Sequence, residues 1–275
     1  MRLLVVGAGS MGRWFADTVG EHTGDADVAF ADADPTAAAD AAAALDARHV
    51  PVDGDERYDV VCVAVPISAV EASIDQQARR AREGIVDVSG VMAAPVGAMR
   101  RALPDGERVS LHPLFAPSNA PGTVASVVDA PGPATDRIRA ALEAAGNTVF
   151  ETTPDEHDRA METVQSSAHA AVLAYALAAG DVRPEFHTPV SAALEEAVEM
   201  VTGGKPRVYR EIQETFEGAE RVAEAAARVA AADGDAFDEL YREASAPNGD
   251  GGTRDVDDDT GPGDTSPDDG WGAER

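Results

Sequence analysis

The first thirty-two residues narrow most sharply what this chain can fold into. RLLVV (2–6) is an apolar run that passes straight into GAGSMG (7–12); a helical stretch then runs to about Gly20, and DVAFAD (27–32) follows. This is G-x-G-x-x-G placed between a strand and a helix. Gly7 permits the tight turn, Gly9 lets a backbone approach a pyrophosphate, and Gly12 allows close packing of helix on strand. Ser10 and Met11 complete the loop, whose helix start offers free N–H groups and a positive dipole end to an anion. Asp32 closes the second strand 20 residues beyond Gly12, where a carboxylate accepts hydrogen bonds from an adenosine ribose. Strand, loop, helix, strand and acid together predict dinucleotide binding. Asp32 and Asp34 repel a 2′-phosphate, which favours NAD over NADP.

The pattern continues for half the chain. YDVVCVAVP (58–66), GIVDVSG (84–90), RVSLHP (108–113), ASVVDA (125–130) and NTVFET (147–152) read as strands, with helical stretches at 35–47, 68–82 and 134–145. Strands alternating with helices of this length mean a mostly parallel sheet. From Pro154 to about Ala244 only helical periodicity remains, broken at DVRPEFHTP and TGGKP. The expected fold class is therefore α/β: a Rossmann-type domain over 1–153, followed by an all-helical substrate and dimerisation domain over 154–245. Residues 246–275, rich in Asp, Gly and Pro, have too little apolar surface to repay ordering and read as a disordered acidic tail.

Composition excludes several function classes. The chain of 275 residues carries 50 acids against 22 bases, a formal net charge of −28, and a single lysine, Lys205. Acid excess with almost no lysine resembles proteins of salt-accumulating (halophilic) archaea; at molar salt the Debye length falls to roughly 3 Å and self-repulsion fades. No basic stripe is present to neutralise phosphates, so nucleic acid is not an expected partner. The one cysteine, Cys62, lies in an apolar run and reads as core, and no cluster of ligating residues reads as a metal site. Without a leader-like segment or an apolar run near 18 residues, the chain reads as soluble and cytoplasmic, with no membrane partner.

Chemistry-bearing residues fall at the C-terminal ends of the strands, where ligands of open α/β sheets bind. Val65 and Pro66 in VAVP flank the nicotinamide side. DVSG presents Ser89, and SLHPLFAPS (110–118) presents His112. Sharing one crevice, Ser89 and His112 are expected to hydrogen-bond, the serine fixing the imidazole tautomer for general-base work.

GAGSMGRWFAD, DVSGVMAAPV, LHPLFAPS and TPDEHDRAMETVQSSAH occur in the order seen in the prephenate/arogenate dehydrogenase family of tyrosine biosynthesis, which this chain resembles over roughly residues 3–215. The resemblance implies an NAD-dependent oxidative decarboxylation of prephenate to 4-hydroxyphenylpyruvate. It makes His112 the base that takes the ring-hydroxyl proton, with Ser89 its hydrogen-bonding partner. His169, with Gln165 four residues before it, becomes an active-site histidine of the helical domain. His157 and Asp158 open the first long helix, where a structural role is expected for His157. The resemblance also implies a homodimer through the helical domain.

One departure stands out. The family arginine that clamps a substrate carboxylate is replaced by Met200, leaving Lys205, Arg207 and Arg210 as nearby basic groups, of which Arg207 and Arg210 are the candidate substrate contacts. Arogenate, giving tyrosine directly, is the alternative substrate. A β-hydroxyacid-dehydrogenase-like reductase fits less well because its lysine is missing from the first long helix. A non-catalytic dinucleotide sensor needs neither Ser89 nor His112.

Overall fold

The computed structural model describes residues 1–24 and 26–246. Residue contacts divide the chain into two units, Met1–Ala226 and the residues from Ala227 on. The acidic tail expected over 246–275 lies, beyond Ala246, outside the described residues.

The first unit begins with β1 (Arg2–Val6), α1 (Ser10–Thr23), β2 (Asp27–Ala31), α2 (Pro35–Ala44), β3 (Arg48–His49) and β4 (Tyr58–Val63). It continues through α3 (Val70–Gln77), β5 (Ala81–Asp87), α4 (Ala93–Ala102), β6 (Glu107–Pro113), β7 (Thr123–Ala130), α5 (Pro133–Ala144) and β8 (Thr148–Glu151). The strands make one eight-stranded sheet in the order β3-β2-β1-β4-β5-β6-β7-β8. Only β6 and β7 pair antiparallel; the other neighbours are parallel. The order reverses between β1 and β4, and that switch point opens a crevice beyond the strands' carboxyl ends.

Near-continuous apolar strands demand cover on both faces, and both are covered. Leu3, Val5, Cys62, Val86 and Leu111 pack with Phe15, Ala41 and Ile138 of α1, α2 and α5. Leu4, Val61, Val63 and Ile85 pack on the other face with Ile74, Val96 and Met99 of α3 and α4. Each such large side chain, fully withdrawn from water, stabilises the sheet by about 1.5–3 kcal/mol. The short β3 and the helix α4 were not anticipated from sequence. AAPVGAMRRA puts Pro95 in the first turn, where no intrahelical bond is lost, but Gly97 in the helix interior, against propensity; α4 forms because Val96, Ala98 and Met99 are buried on the sheet.

Beyond the sheet come α6 (Pro154–Met161), a π-helical segment (Glu162–Ser167), α7 (Ala168–Ala178), α8 (Pro189–Thr202), α9 (Pro206–Thr215) and α10 (Gly218–Ala231). Each of α6, α8 and α9 starts with proline, and threonine side chains cap α6 and α8. A small apolar cluster of Val91, Met161, Ile212 and Phe216, with Ile67 against it, ties the sheet's upper loops to these helices. In the second unit, α11 (Gly234–Ser245) carries Glu243, which pairs with Arg228 through two hydrogen bonds of 2.5 and 3.1 Å.

Candidate active site

The glycine loop has the geometry its spacing predicts. Gly7 sits at φ +104°, and a β-carbon there would lie 2.2 Å from the Ala64 carbonyl oxygen. A β-carbon on Gly12 would lie 2.0 Å from the Gly7 carbonyl oxygen, whereas one on Gly9 would meet nothing within 4 Å. The loop is thus closed toward the protein and open above Gly9. Gly9 also caps α1 without any side chain to satisfy its first N–H groups, which leaves them for an anion. Ser10 is exposed and Met11 half-buried beside it. Asp32 accepts from the Ala8 N–H at 2.7 Å through one oxygen and from the Asp34 N–H at 2.9 Å through the other. It keeps lone pairs for a ribose, while Asp34 is engaged at the α2 N-cap, accepting from Thr36 N–H at 2.9 Å. Val65 lies beside Gly7 and Pro66 starts the next turn, so both border the loop. A dinucleotide fits this cradle: turn, free N–H groups and ribose acceptor are all in place.

His112 closes β6, almost fully buried. Its Nδ1 lies 2.8 Å from His157 Nε2, and His157 Nδ1 lies 2.8 Å from Asp158 Oδ1. Asp158 also accepts the N–H groups of Met92 (3.0 Å) and Ala93 (3.1 Å) at the start of α4. Burial works against the Asp158 charge, but the hydrogen bond from His157 and the two backbone donors outweigh it and hold the carboxyl below its usual range. A carboxylate that only accepts fixes every proton along the chain. His157 carries its proton on Nδ1, so its Nε2 accepts. His112 therefore carries its proton on Nδ1, and its Nε2 presents a lone pair. Burial, reinforced by the neighbouring His157 and opposed by Asp158, pushes His112 down to about 3. It is a neutral imidazole across the physiological range.

The expected Ser89–His112 hydrogen bond does not form. The Ser89 hydroxyl lies 2.5 Å from Asp87 Oδ2 and 3.0 Å from the Val91 carbonyl oxygen, turned back into the end of the sheet. Gly90 faces the ring instead: a β-carbon there would lie 3.7 Å from His112 Nε2. The orienting partner is His157, to which sequence reasoning gave a structural role. The sequence signal that could have found it is the His-Asp pair in TPDEHD.

The π segment brings Gln165 over the same ring, with its Nε2 3.3 Å from His112 Nε2. Gln165 Oε1 and His169 Nδ1 are buried without partners among the described residues. His169 packs edge-on against Tyr209 at 4.8 Å between ring centres, and burial pushes its ring down. Arg207 and Arg210 are not in contact with His112. Arg210 pairs with Glu214 at 3.7 Å, and Arg207 approaches Glu211 at 3.5 Å. Glu211, missed from sequence although four residues beyond Arg207, is buried and accepts from the Ile67 N–H and the Ser68 hydroxyl, both at 2.9 Å. It clamps α9 onto the turn that follows β4. Met200 is 74% exposed and takes no part in the site.

Comparison with known proteins bears on the family and the fold. The family description "Prephenate dehydrogenase, nucleotide-binding domain" matches residues 15–130. A 4-amino-4-deoxyprephenate dehydrogenase of Streptomyces pristinaespiralis is 31% identical over 247 residues, covering 82% of this chain and 81% of that protein. A probable arogenate/prephenate dehydrogenase of Methanocaldococcus jannaschii is 23% identical over 225 residues, 76% of this chain and 50% of that protein. Among solved structures, prephenate dehydrogenase from A. aeolicus, in complex with hydroxyphenyl propionate and NAD+, superposes with a TM-score of 0.65 at 18% identity, covering 89% of this chain and 92% of that one. Synechocystis arogenate dehydrogenase gives 0.59 at 14% identity, covering 89% and 96%. These structural likenesses establish the fold.

Fold and site together define an oxidoreductase with a nucleotide-binding domain. The chain belongs to the prephenate dehydrogenase family, and its function is of the prephenate/arogenate dehydrogenase type.

Proposed function

We propose that this protein oxidatively decarboxylates prephenate to 4-hydroxyphenylpyruvate with NAD, using His112 as the base. The observation that carries the reading is the hydrogen-bonded series His112–His157–Asp158, which leaves His112 Nε2 unprotonated at the mouth of the crevice. NAD held at the glycine loop supplies the acceptor for the hydride from ring C4, and Asp32 favours it over NADP by repelling a 2′-phosphate.

His112 Nε2 receives the C4 hydroxyl proton, and Gln165, 3.3 Å from that nitrogen, orients the hydroxyl. As Nε2 takes the proton, Nδ1 yields its own to His157 Nε2. The positive charge then rests beside the Asp158 carboxylate rather than on a ring whose burial disfavours it. Loss of the ring carboxylate as CO₂ sends its bonding electrons through the ring to the C4 oxygen, which takes the proton back from the histidine pair, and the ring is left aromatic as the phenol. His169 and Gln165, each with an unpartnered buried polar atom, are the further substrate contacts. Of the two candidate arginines, Arg207 is favoured as the carboxylate clamp. Its partner Glu211 holds the turn bearing Ile67, and Ile67 lies against Gly90 beside His112. Arg210 instead lines a cavity of about 370 Å³ with Leu173, Val201 and Tyr209.

The working form is a homodimer through the helical region. Helix α7 (AHAAVLAYALA) is apolar along its length yet buries no residue, and Leu177 (88%), Val190 (71%) and Met200 (74%) stand exposed. Such surface on a soluble chain calls for a covering partner.

The test is a side-by-side rate of nicotinamide reduction with prephenate, arogenate and 4-amino-4-deoxyprephenate in molar KCl. The reading expects prephenate to give the highest kcat/KM, and Arg207→Gln to raise the prephenate KM about tenfold, a loss of ~1.4 kcal/mol. A preference for either amino compound, or turnover of none, contradicts it.

A further inference from the structure

Asp87 is a fully buried carboxyl that the proposed chemistry does not use. It ends β5, and its Oδ2 receives the Ser89 N–H at 3.0 Å. Its Oδ1 has no hydrogen-bond partner among the described residues. Among the described residues no arginine or lysine pairs with it. The groups that face it are Ser110, its register partner on β6, the Cys62 thiol on β4, His157 on α6 and Ser89 itself.

The hydrogen-bond inventory around Ser89 is over-subscribed. Its one hydroxyl proton has two acceptors, Asp87 Oδ2 at 2.5 Å and Val91 O at 3.0 Å. With Asp87 ionised, the serine serves the carboxylate, Val91 O goes unserved, and a charge stays buried with no cation paired to it among the described residues. With Asp87 protonated, the acid donates to Ser89 Oγ and Ser89 donates to Val91 O. Both acceptors are then served and no charge is buried.

We infer that Asp87 is a positioning residue that acts as a neutral carboxylic acid, fixing the 88–93 loop by donating its proton to Ser89. The loop matters because Gly90 lies against His112 and because the Met92 and Ala93 N–H groups hold Asp158, through which His157 and then His112 are aligned. Burial pushes Asp87 up to about 6, against the opposing pull of the Ser89 hydrogen bonds, the nearby Ser110 hydroxyl and His157. A substrate bearing two carboxylates, bound above, pushes it further in the same direction. This inference rests on the reading of His112 as the base.

The experiment compares Asp87→Asn, which keeps a neutral donor, with Asp87→Ala, which removes it, and records the infrared carboxyl band of the wild type and of Asp87→Asn. Expected are a kcat within about threefold of wild type for Asp87→Asn and a loss of at least about tenfold for Asp87→Ala, in line with a positioning role. A protonated-carboxyl band should persist about two pH units above the ordinary carboxylate value of ~4 and be missing from Asp87→Asn. Equal losses in the two variants, an active Asp87→Ala or no band difference overturns the inference. Should Asp87→Ala not fold, the infrared band and the Asp87→Asn rate decide alone. His112→Asn run in parallel separates the two ideas: full activity there sinks the base assignment, whatever the Asp87 variants do.

Discussion

A single carboxylate, Asp158, sets the protonation of two histidines. It accepts from His157 Nδ1 and from two backbone N–H groups, so it has no proton to give, and each donor–acceptor choice downstream follows. An amide at this position reverses the logic, because its NH₂ group donates and disfavours the tautomer that His112 needs. Asp158→Asn should therefore lower kcat by about 10–10², within the span seen when general-base function is impaired. It should leave the NAD dissociation constant unchanged, since the glycine loop is untouched. It should also weaken the α4 cap by about 1 kcal/mol, visible as a lower Tm. Steady-state kinetics with a cofactor titration check the first two, and an unaltered kcat would falsify the relay. At this scale the place of His112 at the end of β6 was legible in the sequence, while its role as a base came from the family resemblance rather than from the local motif. Ser89 misled: spacing placed it at the right strand end but could not tell which way a hydroxyl turns. The buried Asp87, two residues earlier, captured it.

Helices and strands were legible where hydrophobic period and capping agreed. The glycine loop, β4, β6 and α5 follow their sequence signals closely, and α4 escaped because its Pro95 and Gly97 read as breakers, although Pro95 sits in the first turn and burial overrides Gly97. The π segment had no sequence signal of its own. It is held by its own serines and by one side chain of α9: Ser166 donates to Phe216 O at 3.0 Å, Ser167 donates to Glu162 O at 2.9 Å, and Gln213 Nε2 donates to Ser166 O at 2.9 Å. Gly218 packs directly on it, and a β-carbon there would lie 2.4 Å from Ser167 N and 2.6 Å from Glu162 O. Gly218→Ala should therefore push the segment away, lowering stability by about 1–3 kcal/mol and drawing Gln165 off His112. The measurable outcome is a drop in Tm together with a fall in kcat. A variant as stable and active as wild type would mean the π turn does not depend on this contact.

The whole molecule pairs an acidic surface with an apolar helix left bare. A net charge of −28 keeps chains apart in dilute buffer and is screened at molar salt, so association through α7 is expected to strengthen with KCl. Leu177→Glu places a charge on the exposed C-terminal end of that helix. In about 2 M KCl the wild type should run as a dimer by light scattering and the variant as a monomer; a wild-type monomer removes the case for the interface. The alternation of strands and helices made the sheet's class readable from sequence, and the shift near Pro154 did the same for the helical region. The antiparallel β6–β7 pairing was not readable, because adjacent apolar strands carry no mark of their direction.

The central claim is that His112, aligned through His157 by Asp158, takes the substrate's proton. Its most direct test is the kcat of His112→Asn with prephenate and NAD in molar KCl, beside the NAD dissociation constant of the same preparation. The account predicts kcat lower by about 10²–10⁴ with NAD binding intact; turnover close to wild type would contradict it.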